Sequence, residues 1–385
     1  MKIRQSYNIR EFGVPERSPG AGRIDRRLLY NFDFLLMFLI IILTTAGMAN
    51  LYSATAVTDL GLFRSQISWL PVCVGVMILF FSINYTLLEG MTYRIYLVVC
   101  ALLLAVDLTG YTSHGAQRWL NIGLFKLQPS EFAKIALVLA LVQYFYNNPN
   151  VKGYSLREVL APLGLLILPF LMVIKQPDLG TAGLLILIAF TLFIYVGVRK
   201  SVLLWIAVVG SGSLPILWFF ILKAYQKTRI LTFFNPDKDP LRTGYHIKQS
   251  LIAVGSGRWF GTGYLKGTQS GLRFLPEQHT DFTFSVFAEE WGFVGSVLLL
   301  LLFLALIGRA LIIASRSKDR FGTLLSVGIA ALIFWQVAIN VGMCLGIFPV
   351  VGVPLPFFSY GRSALLTIFI SAGLLLNISS RRFMF

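Results

Sequence analysis

The chain alternates between long apolar stretches and short polar breaks along most of its length. A membrane-spanning helix needs about 20 consecutive, mostly apolar residues. By that criterion the sequence predicts ten spans, at residues 33–52, 68–85, 94–110, 129–146, 158–175, 179–197, 201–222, 282–312, 322–346 and 357–379. The polar breaks at 175–178 and 198–201 are very short, so nine and eleven spans are alternative counts. The pattern therefore predicts an all-α bundle of about ten transmembrane helices.

Composition supports a membrane protein. Of the 385 residues, 56% are hydrophobic and only 13% are charged, whereas soluble domains average about 45–50% apolar and about 25% charged residues. A soluble chain of this length would need more polar surface to cover its core. The three cysteines, Cys73, Cys100 and Cys344, fall inside apolar stretches. We expect them to be packing residues, with neither a disulfide nor a metal site.

We attribute the formal net charge of +16 to orientation of the protein in the membrane and not to nucleic-acid binding. No nucleic-acid-binding motif accompanies it. Lys and Arg concentrate in the N-terminal segment and in the loops that share its side, and such residues mark the cytoplasmic side. We therefore predict a cytoplasmic tail at residues 1–31, a transmembrane domain at 32–385, both termini inside, and attraction to anionic membrane lipid.

This topology places one long loop, residues 223–281, on the outer side between the seventh and eighth spans. The loop is rich in Gly, Pro and aromatic residues, with a helix indicated only near 245–254. Structureless loops of this length are uncommon and are often functional. Asp281 ends the loop, so the sequence predicts an acidic side chain at the outer membrane face.

Ionisable residues near spans are costly and therefore informative. In the sequence QPSEFAK (128–134), Glu131 and Lys134 are three residues apart, so they share a helix face and can pair. They form either a structural ion pair or part of a substrate site. Arg118 stands beside Trp119, and is either an interfacial anchor or a ligand for phosphate or pyrophosphate, because a guanidinium binds two oxygens at once.

Two further groups contain acids at predicted helix starts. Asp178 suits a helix N-cap, and Lys175 can pair with it or face an anionic ligand. Asp281 could also be an N-cap, but the polar residues around it, His279 among them, favour a functional carboxylate. Glu289 lies along roughly the same helix face as Asp281.

Several common site types are missing from the sequence. The histidines, His114, His246 and His279, lack the spacing of a zinc site. Neither a P-loop nor a GxSxG nucleophile motif occurs. ATP-driven transport and serine hydrolysis therefore lose support.

Five motifs together resemble one family. They are QPSEFAK (128–134), KQPDLGT (175–181), NPDKDPLRTGYHIKQSLIAVGSG (235–257), GTGYLKGTQSGLRFLPEQHTDFTFSVFAEEWGFVG (261–295) and PVVGVPLPFFSYGRSALL (349–366). In this order they closely resemble the SEDS family of cell-wall polymerases, and its elongation branch, RodA, more than its division branch, FtsW. The resemblance extends over nearly the whole chain from about residue 33.

The resemblance implies a ten-helix enzyme of the bacterial cytoplasmic (inner) membrane that polymerises lipid II into β-1,4 glycan strands during cell elongation. It also implies a class B penicillin-binding protein as crosslinking partner, within the elongation machinery. Asp281 matches the family's essential carboxylate, and the residues that match its polar cavity are Arg118, Glu131, Lys134 and Asp178. We further expect Lys175, His279 and Glu289 to contact substrate.

The implied reaction makes chemical demands on these residues. A sugar hydroxyl attacks a sugar carbon that carries a polyprenyl pyrophosphate, so a base must accept a proton. Asp281 is the candidate base, or alternatively a ligand for Mg²⁺ or Mn²⁺; no cofactor is certain. The leaving pyrophosphate needs cations, for which Arg118, Lys134 and Lys175 are the candidates.

Two other functions suit a polar bundle of this kind. A lipid II flippase would need polar residues through both leaflets, yet the inner halves of the spans are nearly free of charge. A noncatalytic scaffold for a penicillin-binding protein would tolerate substitutions in the polar cavity. Chemistry at one membrane face agrees better with the sequence than either alternative.

Three arginines depart from the family pattern, because glycine is usual at each position. They are Arg242, Arg258 and Arg362. Glycine permits unusual backbone dihedral angles and close approach, so the local conformation at these positions is open. All three add positive charge on the side predicted to meet an anionic lipid substrate.

Overall fold

A computed structural model describes residues 31–382 except 58, 114–115, 122, 124–125, 236–242, 273 and 276. The predicted tail up to residue 30, His114 and Arg242 lie outside the described residues. Ten long helices correspond one to one to the ten predicted spans. They are α1 (Phe34–Ala56), α2 (Leu60–Ser82), α3 (Thr86–Thr109), α4 (Pro129–Asn147), α5 (Leu156–Lys175), α6 (Leu179–Tyr195), α7 (Lys200–Ile216, continued by a π-helical turn at Leu217–Ile221), α11 (Thr283–Ser315), α12 (Arg320–Cys344) and α13 (Arg362–Arg381).

Eight of the helices in the described part of the chain are long and apolar enough to cross a membrane. The remaining two of the ten are α6, which has 17 residues, and α4, which carries Glu131 and Lys134 near its start. Helix α4 is buried along almost its whole length among α3, α5, α6, α12 and α13. The chain is therefore a multi-pass membrane protein with α4 at the centre of its bundle.

A small antiparallel sheet stands at the end of the bundle where α4 and α6 begin. Its strands, β1 (Tyr111–Ser113), β2 (Ala116–Asn121) and β3 (Lys126–Leu127), lie in that order. Leu120 pairs with Leu127, and Asn121 pairs with Lys126. The sheet thus holds Arg118 and Lys126 close to the N-terminus of α4.

The long loop between α7 and α11 contains more helix than the sequence indicated. Helix α9 (Thr243–Ser256) confirms the helix expected near 245–254. Helix α8 (Ala224–Phe234) and the short α10 (Thr268–Gly271) were not expected. Arg229 of α8 lines a large cleft at this end of the bundle, so this loop supplies a wall of that cleft.

Helix α11 is interrupted near its start, and the long loop fills the interruption. Gly292 has φ 66° and ψ −164°, which no residue inside a regular helix adopts. The break leaves backbone groups on both sides without helical partners. The loop supplies those partners: Thr262 N to Glu289 O at 3.0 Å, Gly263 N to Glu290 O at 3.1 Å, Phe293 N to Arg258 O at 2.8 Å and Val294 N to Trp259 O at 3.0 Å.

The adjacent buried glutamates before this break also hold the loop. Glu289 Oε1 accepts hydrogen bonds from Thr268 N at 2.6 Å, Thr268 Oγ1 at 3.0 Å and Gln269 N at 2.9 Å. Glu290 accepts from Leu265 N at 3.2 Å and from the hydroxyl of Ser53 on α1. Both acids therefore serve as anchors for the segment that follows α9.

The close packing of loop and helix gives a test of this anchoring. Gly261 has φ 80°, and a Cβ at this position would collide with the Glu290 carbonyl. We expect Gly261→Ala to lower the thermal unfolding midpoint and to speed proteolysis of the loop, because the left-handed conformation alone costs about 1–2 kcal/mol. Gly255→Ala is the control, since a Cβ there meets no atom within 4 Å. Equal stability of the two variants would contradict the anchoring role.

Candidate active site

A cleft of about 890 Å³ opens at the end of the bundle that carries the small sheet. Its walls come from β2 and β3, the start of α4, helices α8 and α9, residues 277–281, and the segment 352–364 that leads into α13. Pockets of about 300–1,000 Å³ are typical of small-molecule sites. The predicted residues in its walls are Arg118, Glu131, His279 and Asp281.

Asp281 is held by its backbone, and its side chain does not cap α11. Its carbonyl oxygen accepts a hydrogen bond from Asn340 Nδ2 at 2.9 Å, and its N–H donates to Glu277 O at 3.1 Å. The N-cap of α11 is Phe282, which makes no side-chain cap bond. The alternative interpretation of Asp281 as a helix cap is therefore wrong. The carboxylate lies beside Gly352, where a Cβ would come within 3.4 Å of Oδ2.

The surroundings of Asp281 make it a stronger base than an ordinary aspartate. Burial raises the pKa of Asp281 to about 6, and the negative charge of Glu277 acts in the same direction. The positive charges of Arg229 and Arg118 oppose this shift. At neutral pH the carboxylate is ionised, with a proton affinity close to what a general base needs.

Arg118 is fixed at the cleft wall by backbone carbonyls. Its Nε donates to Gln176 O at 3.2 Å, and its Nη2 donates to Pro177 O. The guanidinium Nη1 lies 4.0 Å from Asp178 Oδ1. Because the turn at 176–178 holds one edge of the guanidinium, the positive charge has a set position beside the cleft.

Asp178 lies behind the cleft wall and caps α6, as its position in the sequence suggested. Its Oδ1 accepts from Thr181 N at 3.3 Å. Its Oδ2 accepts from Thr181 Oγ1 at 2.9 Å and Ser130 Oγ at 3.1 Å. Only 1% of the residue is exposed. The structure does not bring Asp178 into the cleft, so its contact is with Arg118 and the start of α4.

Glu131 and Lys134 form the ion pair that their spacing predicted. Lys134 Nζ lies 2.6 Å from Glu131 Oε2, and both side chains are buried. Glu131 reaches the cleft wall, whereas Lys134 lies behind it. The pair is therefore a structural ion pair, and one of its members, Glu131, also lies in the wall of the cleft.

Two predicted substrate contacts are corrected by the structure. Lys175 does not pair with Asp178. Its Nζ lies 3.1 Å from Asp107 Oδ2, and the Lys175 side chain is 73% exposed and lies outside the cleft walls. Glu289 is fully buried and caps α10, away from the cleft. In both cases the partner is distant in sequence and was not visible from local spacing.

His279 lies in the cleft wall between Glu277 and Tyr360. Its ring meets the Tyr360 ring edge-on, with 5.9 Å between centroids. Its Nε2 is 4.0 Å from Glu277 Oε2. Burial lowers the pKa of His279, although the charges of Glu277 and Asp59 act against this effect. The imidazole is therefore suited to hydrogen bonding in its neutral form.

The cleft contains basic residues that the sequence analysis did not select. Arg229 from α8 and His246 from α9 both line it, as does Lys126 from β3. Arg229 stands in a segment with little apolar periodicity, so no local signal marked α8 as a helix facing a site. Its effect on the pKa of Asp281 shows that its charge lies near the carboxylate.

The two described arginines at usual glycine positions differ from each other. Arg258 has φ 48°, in the left-handed region that glycine adopts easily, which answers the open question of its conformation. It is exposed on the loop beside the break in α11. Arg362 is instead the first residue of α13, and its side chain lines the cleft.

No group of three or more His, Cys, Asp or Glu residues in the described part of the chain is arranged to hold a metal ion. Mg²⁺ often binds through only one or two carboxylates together with substrate phosphates. Asp281 and Glu277 are the neighbouring carboxylates in the cleft that fit this requirement. They are the residues that would hold such an ion.

A family model described as cell cycle protein, FtsW/RodA/SpoVE, matches residues 32–383. The chain belongs to this family. It is 40% identical to the peptidoglycan glycosyltransferase MrdB of Escherichia coli K12, over 91% of this chain and 94% of that protein. It is 33% identical to the peptidoglycan glycosyltransferase RodA of Treponema pallidum, over 91% and 98% of the two chains.

Two solved structures have the same fold. The RodA crystal structure from Thermus thermophilus is 29% identical, with a TM-score of 0.70 over 92% of this chain and 98% of that one. A chain from a peptidoglycan synthase complex, described as coordinating polymerisation and crosslinking, is 30% identical, with a TM-score of 0.79 over 92% and 99%. The SEDS resemblance and the all-α membrane fold are both confirmed.

Proposed function

We propose that this protein is a peptidoglycan glycosyltransferase of the RodA type, which polymerises lipid II at the outer face of the bacterial cytoplasmic membrane during elongation. The activity itself follows from the relatives that carry this name, one of which is 40% identical to this chain. The observation that supports the site is Asp281, a carboxylate of raised pKa that lies in a large cleft near the charges of Arg118 and Arg229.

The reaction joins the 4-hydroxyl of one sugar to C1 of another. The new C1–O bond forms as the bond from C1 to the polyprenyl pyrophosphate breaks, and the hydroxyl proton passes to the Asp281 carboxylate. Arg118 and Arg229 stabilise the negative charge that grows on the pyrophosphate. The backbone carbonyls of Gln176 and Pro177 hold Arg118, so the Arg118 guanidinium needs little reorganisation during the reaction.

The position of the cleft at one end of the helices suits a lipid-linked substrate. The isoprenoid chain stays in the membrane between helices, while the pyrophosphate and sugars enter the cleft at headgroup level. A class B penicillin-binding protein crosslinks the new strand, within the elongation machinery. The peptidoglycan synthase complex that shares this fold is described as coordinating those two activities.

The proposal is tested with the purified full-length protein and lipid II, with and without a class B penicillin-binding protein, by separating glycan polymer on a gel. Polymer whose length exceeds that made by the penicillin-binding protein alone supports the proposal. A parallel liposome experiment measures lipid II translocation. Translocation without polymer would instead support a flippase, and neither activity would support a scaffold.

Polymerisation should depend on pH in a way set by Asp281. Its carboxylate acts as a base only when ionised, and its pKa lies at about 6. We expect the initial rate to fall about tenfold per pH unit below pH 6 and to level off above pH 7. Rates are compared between pH 5 and 8 on protein whose folding is verified at each pH. A flat profile through pH 5–6 would contradict Asp281 as the base.

A further inference from the structure

Arg362 occupies a fixed position in the cleft wall. Its Nη2 donates to Ser65 Oγ at 2.8 Å, and its guanidinium lies 5.7 Å from the centre of the Trp69 ring. Both partners belong to α2. Its buried Nε has no acceptor among the described residues. The contacts with α2 hold the guanidinium in place, so its positive charge has a set position at the cleft.

Other positive groups line the same cleft as Arg362. Lys126 on β3 also lines the cleft, and a hydrogen bond from Gln128 N to Ser363 Oγ at 3.0 Å joins the end of β3 to the start of α13. The N-cap of this 20-residue helix is Gly361, which has no side chain to cap the helix. The positive end of the helix dipole therefore adds to the two side-chain charges.

Arg362 and Asp281 are held by different contacts within the cleft, Arg362 by Ser65 and Asp281 by Asn340. The cations that act on the Asp281 carboxylate are Arg229 and Arg118. Tyr360 stands between the two parts: its N–H donates to His279 O at 2.7 Å, and its hydroxyl lies 3.3 Å from Ser65 Oγ. Tyr360 thus joins the segment that carries Asp281 to the α2 residue that holds Arg362.

We propose that Arg362, together with Lys126, binds a second anionic group of the reacting substrates, different from the leaving pyrophosphate. This inference rests on the proposed function. The reaction brings together two lipid-linked sugars, each with a pyrophosphate and a peptide that carries carboxylates, and Arg118 with Arg229 accounts for one pyrophosphate. The shared chemistry of the second group is an oxyanion, bound by a guanidinium that α2 holds in place.

The consequence is a role in substrate affinity and not in the chemical step. We expect Arg362→Gln to raise the half-saturating concentration of lipid II by about tenfold or more, since a charge-assisted hydrogen bond is lost. The maximal rate should change by less than about threefold, as expected when uniform binding is removed. Arg362→Lys should recover part of the affinity, because it restores the charge without the fork of donors.

The control is Arg258→Gln. It also removes one positive charge, but Arg258 is exposed and lies outside the cleft walls. It should leave the half-saturating concentration unchanged. Lipid II with amidated peptide carboxylates separates the two sources of the oxyanion. If amidation removes the difference between wild type and Arg362→Gln, the group is a peptide carboxylate; if the difference persists, it is a pyrophosphate.

Direct binding of lipid II to the protein in nanodiscs is measured alongside the rates. Weaker binding by folded Arg362→Gln, with normal binding by Arg258→Gln, supports the inference even if wild type makes no polymer and the proposed function fails. Equal binding by wild type, Arg362→Gln and Arg258→Gln would overturn the inference whether or not polymer forms. Thermal unfolding of each variant verifies folding, and Arg362→Lys provides the comparison if Arg362→Gln is unstable.

Discussion

Asp281→Asn is expected to abolish glycan polymerisation and, at the same time, to raise the thermal stability of the protein. Loss of a general base lowers rates by about 10²- to 10⁴-fold. Asparagine keeps the shape of the side chain and cannot accept the proton. Polymer from lipid II, scored on a gel at neutral pH, should therefore disappear although the variant folds and enters the membrane normally.

The gain in stability follows from the raised pKa of Asp281. An acid whose pKa rises on folding from the ordinary 3.8 to about 6 binds its proton more tightly in the folded state. Above pH 6 the ionised carboxylate therefore destabilises the folded protein, and this effect disappears below pH 3.8. Asparagine removes it, so the unfolding midpoint at pH 7 should rise by a few degrees.

Asp107→Asn is the matched control, because Asp107 pairs with the exposed Lys175 outside the cleft walls. It should retain activity and gain no stability, since such pairs contribute about 0–1 kcal/mol. An Asp281→Asn variant that polymerises at the wild-type rate would refute the catalytic role. An inactive variant with a lowered unfolding midpoint would point to misfolding instead.

The largest expected loss of stability comes from separating Glu131 and Lys134. Lys134→Met leaves the Glu131 carboxylate buried without its partner at 2.6 Å. Removing one member of a buried ion pair typically costs about 3–5 kcal/mol. We expect a low yield of folded protein and a strongly reduced unfolding midpoint in detergent.

The double variant Glu131→Gln/Lys134→Met should recover most of that stability, because neither charge remains to be buried. Its activity then reports the separate contribution of the Glu131 carboxylate to the cleft. If Lys134→Met alone were as stable as wild type, the pair would not be a structural contact. If the double variant were no more stable than the single variant, the loss would come from packing and not from charge.

Features that depend on local spacing could be predicted from the sequence. Hydropathy located all ten long helices, since a span needs an uninterrupted apolar stretch. The three-residue separation of Glu131 and Lys134 predicted their ion pair, and the position of Asp178 before an apolar helix predicted its cap. Each of these contacts is made within one or two helical turns.

Features that depend on tertiary contacts could not be predicted. Lys175 contacts Asp107 on another helix, and Glu289 contacts Thr268 in the folded loop, so neither partner is near in sequence. Arg229 lies on a short polar helix whose position in the cleft depends on how the whole loop packs. The start of α11 also depends on tertiary structure, because the turn at 277–281 leaves Phe282, and not Asp281, as its N-cap.

The interruption of α11 at Gly292 bears on how the protein is inserted during synthesis. The part after the break, residues 293–315, is about 35 Å long and can cross the bilayer alone. The part before it, about 14 Å long, cannot, and it carries Glu289 and Glu290. These acids enter the bundle only with the loop that supplies their hydrogen-bond donors. We therefore expect residues 293–315 to insert into the membrane before the loop packs around Glu289 and Glu290, and Asp281 to gain its buried environment only as that loop packs.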